Sequence, residues 1–263
     1  MTTTTTTAPY DPPVGRWKRP KLPTIDGSGT ETYVRGTTLT GTLDDSSALD
    51  TWKTRQLVRA ARSARLTDDL SAADLLGTDE PTIDPITLRD YLDAPRDTVP
   101  APYREFVDAF HEALDEAGLT IDHDYTNKWL MHEATGSVTR VWRVVVAADG
   151  ITRAPLILRT SATMSHGALQ DGITAVLAAD STYRLNETHD GWDAVSPMYQ
   201  RTAILMHLPT KAETPTASLS LIDLDEARLN LDTALAVRAA RSDAKHTVLG
   251  RRVRVYADGT VEN

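Results

Sequence analysis

The spacing of apolar residues between 102 and 242 predicts a regular succession of helices and strands. From Tyr103 to Ala117 apolar side chains recur at helical spacing, and Gly118 follows where a glycine commonly ends a helix. Three segments with an extended pattern come next, and Asp149-Gly150 supplies a hairpin turn between the last two. These predicted strands lie near residues 124–133, 137–147 and 154–160.

The second half of this pattern adds two helices and two strands. A helix is predicted from about Gly167 to Ala179, and a strand from Thr202 to Leu208 is expected to pair with one from Ser218 to Leu224. A long helix is predicted from Asp225 to Ser242, followed by a small hairpin near 253–259. The order helix, three strands, helix, two strands, helix indicates one mixed α/β domain.

The N-terminal part of the chain lacks this regular pattern. Residues 1–30 are rich in Thr, Pro and Gly without helical or strand spacing, so they predict an extended arm. Residues 31–100 predict a helical extension, with one helix after the N-cap cluster Asp44–Ser47 and a shorter one near 86–93. The predicted division of the chain is an arm at 1–30, a helical extension at 31–100, an α/β core at 101–244 and a C-terminal hairpin at 245–263.

Two basic clusters in this N-terminal part are candidate contacts for DNA or a protein partner. The first lies in the arm, where a tryptophan stands among basic residues, a combination that suits phosphate contact or docking. The second spreads over the helix that follows Ser47. The alternative for both is an ordinary solvated surface, because arginine favours helices intrinsically and termini often have no binding role. The candidate residues are Arg16, Trp17, Lys18, Arg19, Lys53, Arg55, Arg59, Arg62 and Arg65.

Composition narrows the functional classes. The chain has 263 residues and a formal charge of -9, which argues against a protein that coats nucleic acid by bulk charge. It has no cysteine, so disulfides, thiolate metal sites, iron–sulfur clusters and a cysteine nucleophile are excluded. No segment has the ~20 consecutive apolar residues of a membrane span. The N-terminus lacks the pattern of a secretory signal. We therefore expect no membrane partner and no secretion by a signal peptide.

Three stretches of the chain, taken in order, carry a family resemblance. They are Tyr33-Val34-Arg35-Gly36-Thr37-Thr38 with Leu43-Asp44-Asp45 and Trp52-Lys53-Thr54-Arg55; Pro102-Tyr103-Arg104 with Phe110-His111-Glu112-Ala113-Leu114 and Gly136-Ser137-Val138-Thr139-Arg140; and Thr202 to Pro209 with the long helix after it. They span most of residues 33–242 and resemble the RecB-like exonuclease branch of the PD-(D/E)XK nuclease superfamily, from phages of actinobacteria. The resemblance implies a mixed central sheet flanked by helices.

The resemblance also implies a metal-dependent active site, which this sequence alters at three expected positions. In the family, carboxylates hold Mg²⁺ or Mn²⁺ and a lysine orients or activates the attacking water. The first carboxylate corresponds to Thr139, a carboxylate on the next strand to Ile157, and the lysine to Arg159. Thr and Ile are unsuitable ligands for a hard cation here, and an arginine, which stays protonated at ordinary pH, is a poor proton carrier.

These substitutions predict a nuclease-fold phage protein that has lost catalysis and is retained for a binding or structural role. Such a protein needs no cofactor, its expected location is the host cytoplasm or the virion, and its expected partners are other phage proteins or further copies of itself, with DNA as a third candidate. A separate hypothesis is a sequence-independent DNA binder that uses the basic helix.

The competing hypothesis is an active Mg²⁺- or Mn²⁺-dependent DNA exonuclease whose metal ligands have moved. It requires at least two carboxylates to converge close to Thr139 and Ile157. An acidic chain offers many carboxylates, so surface charge is the simpler interpretation of any one of them. The candidates that lie near the expected site in sequence are Asp122, Asp124, Glu133, Asp149 and Asp171.

Overall fold

The computed structural model describes residues 10–15, 18–43, 83–161, 167–212 and 214–248, and the short strands at 254–255 and 261–262. Within these residues two five-stranded mixed sheets are covered by helices, which confirms the predicted mixed α/β class. The strands expected in one central sheet are divided between two sheets. The division arises because the predicted strand at 137–147 bends at Val141-Trp142 and passes from one sheet to the other.

From residue 101 onward the elements follow the predicted order, with additional short strands. The described helices are α1 (Gly36–Thr40), α2 (Pro85–Tyr91), α3 (Ala101–Glu116), α4 (Ala168–Ala179) and α5 (Leu224–Val248). The described strands are β1 (Lys21–Pro23), β2 (Thr30–Thr32), β3 (Val34–Arg35), β4 (Thr120–Ile121), β5 (Trp129–His132), β6 (Ser137–Arg140), β7 (Arg143–Val146), β8 (Arg153–Arg159), β9 (Tyr183–Leu185), β10 (Trp192–Ala194), β11 (Thr202–His207), β12 (Ser218–Asp223), β13 (Arg254–Val255) and β14 (Val261–Glu262). The helix predicted after Ser47 lies outside the described residues.

Both large sheets combine parallel and antiparallel neighbours. The first has the strand order β10-β9-β5-β6-β3 and the second the order β12-β11-β8-β7-β4. β3 runs parallel to β6, and β8 runs parallel to β11. The chain between β8 and β11 contains α4, since parallel neighbours require a long crossover connection. The predicted pairing of β11 with β12 is confirmed, from Thr202 opposite Asp223 to His207 opposite Ser218.

Helix α4 packs against both sheets. Ile173 and every residue from Ala175 to Ala179 are buried. Their cluster includes Leu130 of the first sheet and Val144 of the second, so α4 joins the two layers. Helix α5 packs on α4 so closely that a β-carbon added at Gly172 would lie 3.1 Å from the Cβ atom of Ala227. The apolar face of α4 therefore determines how sheets and helices meet.

The other face of the second sheet is covered by α2 and α3. Phe110 of α3 and Leu88 of α2 are fully buried, and they share a cluster with Leu156 and Met206 of the sheet. Asp84 begins α2 by accepting hydrogen bonds from the backbone N–H groups of Ile86 and Thr87, as an N-cap residue does. The helix predicted near 86–93 is thus confirmed, and it spans Pro85–Tyr91.

The first sheet is covered on one face by the N-terminal segment, which forms a hairpin of β1 and β2. Leu22 and Tyr33 are buried against Trp129, Met131 and Val138 of the sheet. The Trp129 Nε1–H group also donates to the carbonyl oxygen of Tyr10, at 3.0 Å. The sequence showed no strand spacing at 1–30. Strand β1 is fixed by the burial of Leu22, whereas β2, Thr-Glu-Thr, is exposed and is held by its antiparallel pairing with β1.

Candidate functional site

The positions at which the resemblance expects a metal ligand or a lysine lie on β6 and β8. Thr139 is opposite Leu130 in the antiparallel pair of β5 and β6, and opposite residues share a face of the sheet. Leu130 belongs to the cluster around α4, so Thr139 faces the same side. Ile157 packs against that cluster from β8, and Arg159, two residues further on, points to the same face. The structure thus brings all three positions to the side covered by α4.

Thr139 is 6% exposed and closely packed. A β-carbon added at Gly36, at the start of α1, would lie 3.4 Å from both Cβ and Oγ1 of Thr139, and 2.8 Å from Cδ1 of Leu177. The hydroxyl group is therefore surrounded by α1 and α4. A position that would have to present a carboxylate to a solvated ion is here part of a tight helix–strand contact.

Arg159 forms a largely buried ion pair with Asp171 in the first turn of α4. The guanidinium Nε–H donates to Oδ2 of the carboxylate, and the two side chains are 8% and 20% exposed. Burial raises the pKa of Asp171, while the hydrogen bond and charge of Arg159 act in the opposite direction. The pair fixes the start of α4 to the end of β8.

Gly167 makes this contact sterically feasible. It lies immediately before α4 with φ of +86°, a backbone conformation that glycine adopts readily and L side chains rarely do. A β-carbon at this position would come within 2.7 Å of Nη2 of Arg159. The guanidinium group therefore lies directly against the backbone that begins α4.

Two further arginines add positive charge near the ion pair. The Arg89 guanidinium on α2 donates from Nη2 to the carbonyl oxygen of Leu158, at 3.2 Å. Partial burial lowers the pKa of Arg89, the nearby charge of Arg140 lowers it further, and Asp171 raises it. Arg140, at the end of β6, bridges to Asp11 at 3.0 Å. The positive charges of these three arginines favour an anion over a divalent cation at this position, since like charges repel.

Three other carboxylates proposed as relocated ligands bond to groups other than the motif positions; these are Asp122, Glu133 and Asp149. Asp122 pairs with Arg153 at 2.6 Å, and Asp149 accepts backbone hydrogen bonds in the turn between β7 and β8. Glu133 accepts a long hydrogen bond of 3.5 Å from the hydroxyl of Thr182. In the part of the chain that the structure describes, no group of three or more Asp, Glu or His side chains is arranged to hold a metal ion. Asp171 is the candidate that contacts a motif position.

Most of the predicted DNA- or partner-binding residues lie outside the described residues. These are Arg16, Trp17, Lys53, Arg55, Arg59, Arg62 and Arg65. Lys18 is exposed, with φ of +55°, and Arg19 is half-buried beside it. The backbone N–H of Gly15 donates to the carbonyl oxygen of Arg19 at 2.8 Å. For these residues the predicted contact with DNA or a partner stays a prediction.

Two arginines beside the half-buried Trp142, the buried Arg143 and the exposed Arg89, were not anticipated from the sequence. Arg143 and Asp93 form an ion pair whose side chains are 3% and 8% exposed. The guanidinium carbons of Arg143 and Arg89 lie 4.8 and 5.8 Å from the Trp142 ring centroid, within cation–π range. Burial lowers the pKa of Arg143 to about 10. Asp93 and Arg143 are 50 residues apart, so no local spacing indicates the pair.

Comparison with known proteins adds no family to this geometry. No protein-family model matches the chain, and no curated protein is significantly similar to it. The nuclease resemblance therefore stays a prediction that rests on the residues quoted above. Within the described residues no helix is both long enough and apolar enough to cross a membrane.

Proposed function

We propose that this chain is a nuclease-fold phage protein that does not cleave DNA and is retained for a binding or structural role. The observation that carries the proposal is the Arg159–Asp171 ion pair. Arg159 stands where the resemblance expects a lysine, and its partner Asp171 is one of the carboxylates that the competing hypothesis offers as a relocated metal ligand. The carboxylate of Asp171 is engaged by the guanidinium group, and a guanidinium remains protonated at all relevant pH values.

The arrangement of elements around the ion pair supports the scaffold part of the proposal. The two motif strands, β6 and β8, are followed by a helix that packs on both of them, and β11 then returns parallel to β8. Thr139, Ile157 and Arg159 all face that helix. The shared orientation toward one helix supports the proposal, although β6 and β8 belong to two different sheets and the resemblance implies one central sheet.

The chemistry of these side chains supports the loss of cleavage. A hard divalent cation prefers several carboxylate or carbonyl oxygens, and such an ion would here stand beside the positive charges of Arg159, Arg89 and Arg140. Without it, the attacking water has no group to lower its pKa and the developing phosphate charge has no divalent counter-ion. The same arginines are suited to neutralising a phosphate group that is bound and not cleaved.

A nuclease assay tests the proposal directly. The full chain is incubated with linear double-stranded and single-stranded DNA in the presence of Mg²⁺ or Mn²⁺, with a chelator in parallel. We expect no degradation above the chelated sample. Chelator-sensitive degradation would overturn the proposal. Its loss in an Asp171→Asn variant shown to be folded by circular dichroism, but not in Asp149→Asn, would favour the exonuclease with relocated ligands.

A binding measurement separates the two roles that the proposal allows. Fluorescence anisotropy with labelled DNA at several salt concentrations reports affinity and the number of phosphate contacts, since the log–log slope is roughly 0.9 per contact. A steep slope that weakens in Arg89→Gln supports a DNA-associated role. Absence of binding at low salt assigns the protein to a structural role among phage proteins, in the host cytoplasm or the virion.

A further inference from the structure

The second sheet ends in a long exposed edge strand. Among the four edge strands of the two large sheets, β3 and β4 have two residues each, β10 has three and β12 has six. Within the described residues no strand pairs with the outer edge of β12. An edge of this kind presents unpaired backbone N–H and C=O groups, and proteins usually keep such edges short or block them.

β12 carries none of the usual blocking features. The strand reads Ser-Leu-Ser-Leu-Ile-Asp, without proline or lysine, and its pairing with β11 runs through all six positions without a bulge. Leu221 is 69% exposed. The one charged residue, Asp223, accepts hydrogen bonds from the backbone N–H groups of Asp225 and Glu226 at the start of α5, at 2.9 and 3.2 Å. Its charge is therefore used to cap the helix.

We propose that β12 pairs antiparallel with β12 of a second copy of this chain, about a two-fold axis at Ser220. In this register Leu219 of each copy lies opposite Leu221 of the other, so four leucines meet on one face of the joined sheet. Ser220 lies opposite its own copy. Asp223 lies opposite Ala217, at the end of the ladder, so the two carboxylates do not face each other. The inference does not depend on the proposed function.

The chemistry of the edge favours a second copy over a charged partner. Between Ser218 and Ile222 the strand has no charge that would select a basic or acidic segment, and its Ser/Leu alternation complements itself when reversed. A register centred on Leu221 would instead place Asp223 opposite Leu219. The register centred on Ser220 avoids this contact between a carboxylate and an apolar side chain.

The expected dimer is weak and depends on salt. Pairing of two six-residue strands buries less than the ~1,200 Å² typical of stable interfaces. Each copy also carries a formal charge of -9, so the copies repel each other at low ionic strength. Association is therefore expected to increase with both protein concentration and salt concentration, as sedimentation equilibrium measures.

Disulfide trapping tests the register, because the chain contains no cysteine of its own. Opposed residues of an antiparallel pair have Cα atoms about 4.5–5.5 Å apart, which suits a disulfide. Ser220→Cys is therefore expected to form a cross-linked dimer under mild oxidation. The matched control is Ser218→Cys on the same face, because its two copies would lie about 13 Å apart along the strand and should remain monomeric. Equal cross-linking of both variants, or of neither, overturns the proposal.

Two lysine variants test the interface without a cross-link. Leu221 and Leu229 are similarly exposed, at 69% and 66%, but Leu229 lies on α5 and not on the edge strand. Leu221→Lys is expected to weaken dimerisation at least about tenfold, and Leu229→Lys by less than about twofold, since a lysine blocks an edge strand specifically. Circular dichroism confirms that both variants are folded. A wild-type chain that stays monomeric in high salt, or a dimer that survives Leu221→Lys, overturns the proposal.

Discussion

Arg159 on β8 and Asp171 on α4 form an ion pair at the position where the nuclease resemblance expects the catalytic lysine. The pair connects the end of a core strand to the start of the helix that packs on both sheets. A metal site with relocated ligands would need the Asp171 carboxylate to bind the ion, whereas the ion pair uses it to balance the charge of Arg159. In this molecule the carboxylate is engaged by a protein cation, and the ion pair joins the end of β8 to the first turn of α4.

Removing one partner of this pair is expected to be far more damaging than removing both. Asp171→Asn leaves the buried guanidinium of Arg159 without its counter-charge, which typically lowers the free energy of unfolding by about 3 kcal/mol. The double variant Arg159→Met with Asp171→Leu removes both charges in favour of apolar side chains and is expected to lie closer to wild type than either single variant. Urea unfolding of the wild type, Arg159→Met, Asp171→Leu and the double variant measures the coupling.

An exposed pair is the control for this prediction. Arg96 and Asp108 bond at 2.6 Å, but their side chains are 71% and 42% exposed. Asp108→Asn is expected to leave the free energy of unfolding nearly unchanged, because water and salt screen exposed pairs. If Asp171→Asn is as mild as Asp108→Asn, the buried pair has no structural role.

The helices and strands of the core were largely predictable because their apolar spacing is local. The α3 stripe, the β8 and β11 strands and the α4 helix were predicted within a few residues of their observed bounds. The bend at Val141-Trp142 was not predictable, since valine-rich spacing continues across it without a break. At the bend Trp142 contacts the guanidinium groups of Arg143 and Arg89, and Arg89 is distant in sequence, so local spacing does not indicate this contact.

The N-terminal hairpin was missed for a similar reason. β1 and β2 have three residues each, too few for a period to be recognised. What orders them is the burial of Leu22 and Tyr33 against the first sheet, together with the bond from the Tyr33 hydroxyl to the carbonyl oxygen of Pro23, at 2.9 Å. At the site, Thr139 and Arg159 were predictable as positions, whereas Asp171 was one of several carboxylates that sequence alone could not rank.

His132 is expected to make stability depend on pH. Its ring is buried and bonded to the Thr135 hydroxyl at 2.9 Å, and burial lowers its pKa below the ordinary 6.5. Because the unfolded chain then binds the proton more readily, stability falls as the pH is lowered below 6.5 and is regained above it. His132→Asn is expected to flatten this dependence in chemical unfolding between about pH 5 and 8. An unchanged slope in the variant would assign the dependence to other groups.

Gly36 is expected to resist substitution because of packing. A β-carbon there would meet Cδ1 of the fully buried Leu177 at 2.8 Å, so the side chain of Leu177 or the backbone of α1 has to shift. Gly36→Ala should therefore cost about 1–3 kcal/mol of unfolding free energy. Gly29→Ala is the control, since nothing lies within 4 Å of its β-carbon position. Leu177→Val in the Gly36→Ala background should recover part of the loss, and failure to do so would contradict the packing explanation.

Arg228 is expected to connect α5 to the end of α4 through its planar geometry as well as its charge. Its Nε and Nη2 groups donate to the two carboxylate oxygens of Asp180 at 2.9 and 2.8 Å, and Nη1 donates to the carbonyl oxygen of Gln200 at 2.8 Å. A lysine keeps the charge but cannot make these bonds together, so Arg228→Lys should lower the free energy of unfolding by about 1 kcal/mol.

The control for Arg228→Lys is Arg184→Lys. Arg184 approaches Asp193 at only 3.8 Å, without the two-bond geometry, so this change should have a smaller effect. Combining Arg228→Lys with Asp180→Asn should cost less than the sum of the two single losses, because both changes remove the bonds between Arg228 and Asp180. Fully additive losses would show that Arg228 stabilises the helix pair through contacts other than Asp180.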